Sequence, residues 1–98
     1  MSGFQLTPDA KASMMQIARY TQRTWGVKQR NSYMRLIDDC FHALAASPRQ
    51  GKSRPEIHHA MRSHPVGKHV VFYMIQTNDI VIVNVLHERM DPDRNLRL

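Results

Sequence analysis

Three patches of this chain carry residue types that could do chemistry. His58, His59, His64 and His69 crowd one stretch, His87-Glu88-Arg89-Met90-Asp91 follows an apolar run, and Arg19, Arg23, Lys28, Arg30 and Arg35 bring five cations between residues 19 and 35 with no acid among them. The histidines first raise the question of a metal, which needs several donors converging on one point. His59, His64 and His69 are five apart. That spacing alternates faces on a strand and separates side chains by about 140° on a helix. No Asp or Cys lies among them, and Pro65 and Gly67 break the segment. They read as solvated loop and strand-edge residues, so no metal is expected.

Metal-free RNA cleavage is the second possible chemistry. It requires a general base, a general acid and cations over the scissile phosphate on one surface. The possible actors are Arg62, Lys68, His69, His87 and Arg89. If the last strand continues through Leu86, the adjacent His87 and Glu88 point to opposite faces and are poorly placed as a pair. Cys40, the single cysteine, falls on the apolar side of a helical pattern and reads as a small buried hydrophobe rather than a nucleophile. No catalytic residue is assigned. Binding remains the third chemistry: the basic run suits an acidic partner, and Arg and Met are both favoured at interface cores.

The elements that must position these residues are well marked. Thr7-Pro8-Asp9 combines an N-cap hydroxyl, a proline at the first helical position and a carboxylate at the positive end of the helix dipole. Ala10, Met14, Ile17, Ala18, Thr21 and Trp25 then form one apolar stripe, and Gly26 stops the helix. A second helix is predicted from Val27 to Ala46, with Tyr33, Leu36, Ile37, Cys40, Phe41 and Leu44 on one side. So short a connection makes a helical hairpin. Pro48 to Pro55 has two prolines, a glycine and three cations without an apolar residue, and reads as a surface loop.

From Ala60 the period changes to two. Met61–His64, Lys68–Ile75 and Ile80–Leu86 read as antiparallel strands separated by Pro65-Val66-Gly67 and by Gln76 to Asp79. Phe4–Leu6 could add an edge strand, and Asp91-Pro92 starts a brief terminal helix over 92–97. The predicted order is β-α-α-β-β-β, an α+β fold with the hairpin packed on an antiparallel sheet. Trp25 and Tyr73 are expected to face the core between the two layers.

At 98 residues, 42% hydrophobic and 22% charged, the chain has the size and composition of one globular domain, taken as 1–98. The net charge of +6, with ten arginines among fourteen cations, favours an anionic or acidic partner. One cysteine permits no intrachain disulfide and fits a reducing compartment, so a cytoplasmic location is expected. The N-terminus lacks a cationic region followed by an apolar run, and no apolar stretch approaches the ~20 residues of a membrane span.

Four segments taken together resemble the ParE toxins of the bacterial ParE/RelE toxin–antitoxin superfamily. They are LTPDAKASMMQIARYTQRTWG at 6–26, LIDDCFHALAASPRQGKSRPEI at 36–57, HPVGKHVVFY at 64–73 and VNVLHERMD at 83–91. The combination of VGKHVVFY, a four-residue turn and VLHERMD is the most specific part. The resemblance implies a toxin that poisons DNA gyrase, is neutralised by a ParD-type antitoxin, and uses no metal, no small-molecule cofactor and no small-molecule substrate. The wider superfamily contains RelE-like ribosome-dependent mRNA endonucleases, so fold alone does not settle function.

A RelE-like nuclease typically carries cations on the central strands and a C-terminal tyrosine or histidine. Here Val70–Ile75 is apolar apart from Tyr73, and no tyrosine follows it. The alternative of a RelE-like mRNA endonuclease has His87 and Arg89 as its best candidates. His87, Glu88, Arg89, Met90 and Asp91, polar groups offered at a sheet margin where an apolar run has just ended, are the candidate target-binding residues. Arg19, Arg23, Arg30, Arg35 and Arg62 are the candidates for holding the antitoxin, whose amphipathic segment would lie in a groove on the toxin. With no helix-turn-helix or zinc-finger pattern, DNA contact is expected only indirectly, through antitoxin or gyrase.

Overall fold

The computed structural model describes residues 3–97, with the elements β1 (Gly3–Leu6), α1 (Pro8–Trp25), α2 (Val27–Ala46), β2 (Lys52–Ser53), β3 (Met61–Val66), β4 (His69–Ile75), β5 (Asp79–His87) and α3 (Pro92–Asn95). Met1, Ser2 and Leu98, at the ends of the expected 1–98 domain, lie outside the described residues. Thr7 begins α1 as its pattern predicts. Its hydroxyl accepts the Ala10 N–H at 3.0 Å and donates to the Val83 carbonyl at 2.7 Å. One side chain thus caps the helix and ties its start to β5. Gly26 ends α1 at φ +95°, a conformation that costs glycine little, and its N–H closes on the Gln22 carbonyl.

The fold is α+β as predicted. The helical hairpin covers one face of a five-stranded sheet ordered β1-β5-β4-β3-β2. β2 to β5 pair antiparallel, but β1 joins the far edge of β5 in parallel, so the sheet is mixed rather than the wholly antiparallel one expected. The main core forms where Ala10 and Ile17 of α1 and Ile37, Phe41, Leu44 and Ala45 of α2 meet Val66, Val71, Tyr73, Ile80, Ile82 and Val85 of the sheet. Tyr73 is fully buried there, as expected. A smaller cluster of Met61, Phe72, Val83 and Leu86 lies on the opposite face, packed against Ile57 and Leu96.

Four local expectations are corrected. Trp25 is 70% exposed rather than turned to the core, because residues 22–29 are exposed throughout and the hairpin tip has run past the sheet. Leu36 is likewise exposed: it sits about 100° around α2 from the buried Ile37. The stretch Pro48 to Pro55 is not only loop, since Pro48–Gln50 makes a 3-10 turn and Lys52–Ser53 adds a strand against Arg62 and Ser63. The predicted turn at Pro65-Val66-Gly67 shrinks to Gly67-Lys68. Pro65 pairs with Val70 in β3 at a position β2 does not reach, where its missing N–H is tolerated.

One irregularity decides where the C-terminal residues point. Phe72 pairs with Asn84 but Tyr73 pairs with Ile82, leaving Val83 as an extra residue in β5. Such a bulge inverts the alternation beyond it. Ile80 and Ile82 face the helices, and after the bulge Val85 does too. His87, paired with His69, follows onto that face. Without the extra residue, His87 would face the opposite side.

Candidate functional site

β5 ends at His87, and the chain then leaves the sheet through Glu88, Arg89 and Met90, all exposed, with Met90 at 42%. The exit is nevertheless ordered by hydrogen bonds. Glu88 N–H donates to the Lys68 carbonyl at 2.9 Å and Met90 N–H to the His87 carbonyl at 2.9 Å. Arg89 N–H donates to His87 Nδ1 at 3.2 Å. Asp91 caps α3, accepting the Asp93 N–H at 3.0 Å, and its carboxylate lies 3.9 Å from Arg94 rather than pairing with Arg89. Of the five target-binding candidates, His87 and Asp91 hold the segment in shape while Glu88, Arg89 and Met90 present side chains to solvent.

Beside this exit, α1 and the end of β5 enclose a groove of about 260 Å³, lined by Ile17, Tyr20, His69, Val85, His87 and Met90 among others. Tyr20 is 59% exposed and stands in sequence between the exposed Arg19 and Arg23. The groove joins the predicted target segment to Tyr20 on α1. Tyr20 escaped the sequence reading because it is off the apolar stripe of α1. An unpaired aromatic among cations was the available signal.

The remaining cations divide. Arg35 is exposed, whereas Arg30 reaches across the hairpin to Gln22 at 2.5 Å and bonds Asn31 at 2.8 Å. Arg62 donates to the Gly51 carbonyl at 2.7 Å and the Arg49 carbonyl at 3.3 Å. It pairs with Tyr73, four residues along β4 from His69 and so roughly 13 Å away. The structure does not bring Arg62 to the exit of β5.

Lys68, His69 and His87 do come together. The His69 and His87 rings meet edge-on with centroids 5.4 Å apart, and His69 Nδ1 lies 2.6 Å from the Tyr33 hydroxyl of α2. That hydroxyl also accepts the Lys68 N–H at 3.0 Å. Every group is satisfied when Tyr33 donates its proton to His69 Nδ1. Burial first, and then the charge of His87, hold the His69 pKa below the ordinary imidazole value, with Glu88 opposing them. Burial raises the Tyr33 phenol, against the Lys68 N–H. Both imidazoles thus spend Nδ1 as an acceptor inside the protein, and in the neutral ring the other nitrogen then carries the proton. Neither offers a free lone pair for general-base catalysis.

Elsewhere, Cys40 is half-buried and burial pushes its thiol pKa up, which suits a packing role. Among the described residues, no group of three His, Cys, Asp or Glu could hold a metal ion, and no helix is long and apolar enough to cross a membrane.

A helical hairpin over a five-stranded sheet is shared with a solved chain from the chromosomal ParDE TA system of P. aeruginosa, at a TM-score of 0.76 and 17% identity, over 89% of this chain and 96% of that one. The family described as "ParE toxin of type II toxin-antitoxin system, parDE" matches residues 4–92. Toxin ParE1 of Mycobacterium tuberculosis is 38% identical over 96 residues, covering 97% of this chain and 98% of that protein. Toxin ParE of Escherichia coli is 34% identical over 92 residues, covering 93% and 89%. The chain belongs to the ParE toxin family of type II toxin–antitoxin systems.

Proposed function

We propose that this toxin inhibits DNA gyrase by protein–protein contact through His87–Asp91, has no catalytic chemistry of its own, and is neutralised by a ParD-type antitoxin. The observation that carries the reading, beyond membership of the family, is the exit of β5. Glu88, Arg89 and Met90 leave a braced strand end with their side chains in solvent, and a preordered segment binds at lower entropic cost than a mobile one. Contact rather than RNA hydrolysis is favoured because His69 and His87 commit their basic nitrogens internally.

The antitoxin's acidic amphipathic segment lies along α1 and α2, with Arg19, Arg23 and Arg35 as exposed cations and Tyr20 as the apolar anchor. Arg30 and Arg62 contribute less, since each already has partners. DNA is reached only through antitoxin or gyrase, and a cytoplasmic location goes with such a target. A gyrase supercoiling assay with purified toxin and ATP tests this. Inhibition with linearised DNA, relieved by antitoxin, is the expected result; no effect at high molar excess of folded toxin overturns it.

A further inference from the structure

The exit of β5 is held by residues distant in sequence. Lys68 sits at the centre of this connection: its carbonyl accepts Glu88 N–H and its own N–H donates to the Tyr33 hydroxyl. Tyr33 belongs to α2, so the hydroxyl fixes the β3–β4 turn to the helical layer, and the turn in turn fixes the first residue beyond β5. The same hydroxyl bonds His69, whose ring abuts His87. Tyr33 also packs directly over Gly67, where φ is +57° and an added Cβ would fall 2.6 Å from the phenol ring. The close approach leaves the turn little room to shift while the ring stays in place.

We infer that Tyr33 is a positioning residue for the target-binding segment, acting through the Lys68 backbone and His69 to set where Glu88, Arg89 and Met90 leave the sheet. The inference rests on the reading of that segment as the target surface. It separates Tyr33 from an ordinary core residue: the ring contributes packing, and the hydroxyl contributes geometry at a place the ring does not touch. It also makes the bracing sensitive to acid. A proton on His69 Nδ1 turns an acceptor into a donor, so the Tyr33 hydroxyl would face two donors and lose the acceptor for its own proton. The titratable and charged groups around the hydroxyl and His69 are Lys68 on the turn, His87, Glu88 and Arg89 at the end of β5, and Tyr20 across the groove on α1.

The test is residue-resolved amide hydrogen exchange on the full-length toxin, corrected for intrinsic rates. Tyr33→Phe keeps the ring and removes the hydroxyl. It should speed exchange at Lys68 and Glu88 by about tenfold, the worth of one lost hydrogen bond, while Val71 and Val85 in the core stay protected. Unchanged protection at Lys68 and Glu88, or a uniform acceleration across the chain, overturns the proposal.

His69→Asn supplies an independent arm if Tyr33→Phe does not fold, because the Asn carbonyl can replace Nδ1 as an acceptor that does not titrate. In the wild type, protection at Lys68 should fall as pH drops below about 6.5. In His69→Asn it should stay flat. A wild-type Lys68 amide with no pH dependence overturns the proposal. Growth inhibition by Arg89→Ala decides separately whether the positioned segment is the target surface.

Discussion

Two tyrosines clamp two glycines at opposite ends of the same sheet, and they do so with different chemistry. Tyr73 accepts Gly51 N–H at 3.0 Å and donates to the Pro48 carbonyl at 2.6 Å. Tyr33 accepts Lys68 N–H at 3.0 Å and bonds His69 Nδ1 at 2.6 Å. Each ring lies against a glycine, Gly51 for one and Gly67 for the other, and burial is the leading cause raising each phenol pKa. The first clamp is built on a fully buried ring and ends on a carbonyl, an acceptor at every pH. The second is partly exposed and ends on an imidazole beside the exit of β5. One device serves permanence at one end of the sheet, and adjustability at the end that presents the exit of β5.

The largest expected effect separates the glycines. In Gly51→Ala the new methyl would run into the buried phenol of Tyr73, which has nowhere to go; overpacking of this kind costs ~3 kcal/mol. For a domain of this size that lowers Tm by roughly 12–24 °C. Gly67→Ala meets Tyr33 and must also adopt a positive φ, at about 1–2 kcal/mol for the backbone, but the partly exposed ring can swing aside. Thermal melts of the two variants should rank them in that order. Equal losses would mean that Tyr73 is as free to move as Tyr33.

Next come the hydroxyls. Tyr73→Phe leaves the Gly51 N–H buried without a partner, at about 2 kcal/mol, whereas in Tyr33→Phe water can reach Lys68 N–H and the loss is ~1 kcal/mol or less. Urea titrations measure both. A larger loss for Tyr33→Phe would reverse the assignment of the rigid and the adjustable end.

How far this contrast was legible in the sequence follows from what each part depends on. Thr7-Pro8-Asp9 and Gly26 fixed the bounds of α1 because a cap is decided by neighbouring residues, and period-two runs located β3, β4 and β5. β2 was hidden because a two-residue strand exists only through its partners Arg62 and Ser63. Trp25 was misplaced because a stripe continues in sequence after the sheet beneath it has ended. The exit segment stands out by its own residue types, and Lys68 and His69 carry chemistry legible in the sequence. Tyr33 looked like one more apolar-side residue of α2, since nothing local links position 33 to 68 and 69. The bulge at Val83, which turns His87 toward His69, left no signal in an unbroken apolar run.

A smaller effect should appear as pH falls. The His69 pKa is depressed in the folded state, so between the ordinary value of ~6.5 and that lower value the unfolded chain binds more protons. The stability contribution of His69 is therefore complete above ~pH 6.5 and declines as pH drops through this window. Denaturation midpoints measured from pH 8 to pH 5 should show a decline that His69→Asn reduces and Tyr73→Phe does not. An identical slope in wild type and His69→Asn would assign the acid sensitivity to other histidines.

The smallest effect on stability should accompany the largest on activity. Arg89 is exposed, and its only hydrogen bond among the described residues is made by its backbone, to His87 Nδ1. Arg89→Ala keeps that N–H and should change stability by no more than ~0.5 kcal/mol. If the braced exit is the surface that meets gyrase, the same substitution removes an exposed guanidinium from its centre. Side chains at the centre of an interface carry a disproportionate share of binding, commonly 2 kcal/mol or more for an Arg, or about thirtyfold in affinity. Growth inhibition should then be lost while the antitoxin still binds, because the cations proposed to hold it, Arg19, Arg23 and Arg35, lie on the helices. Loss of antitoxin binding as well would mean that one surface serves both partners across the groove at Tyr20. Full toxicity would leave β5 with a braced exit that does not meet the target.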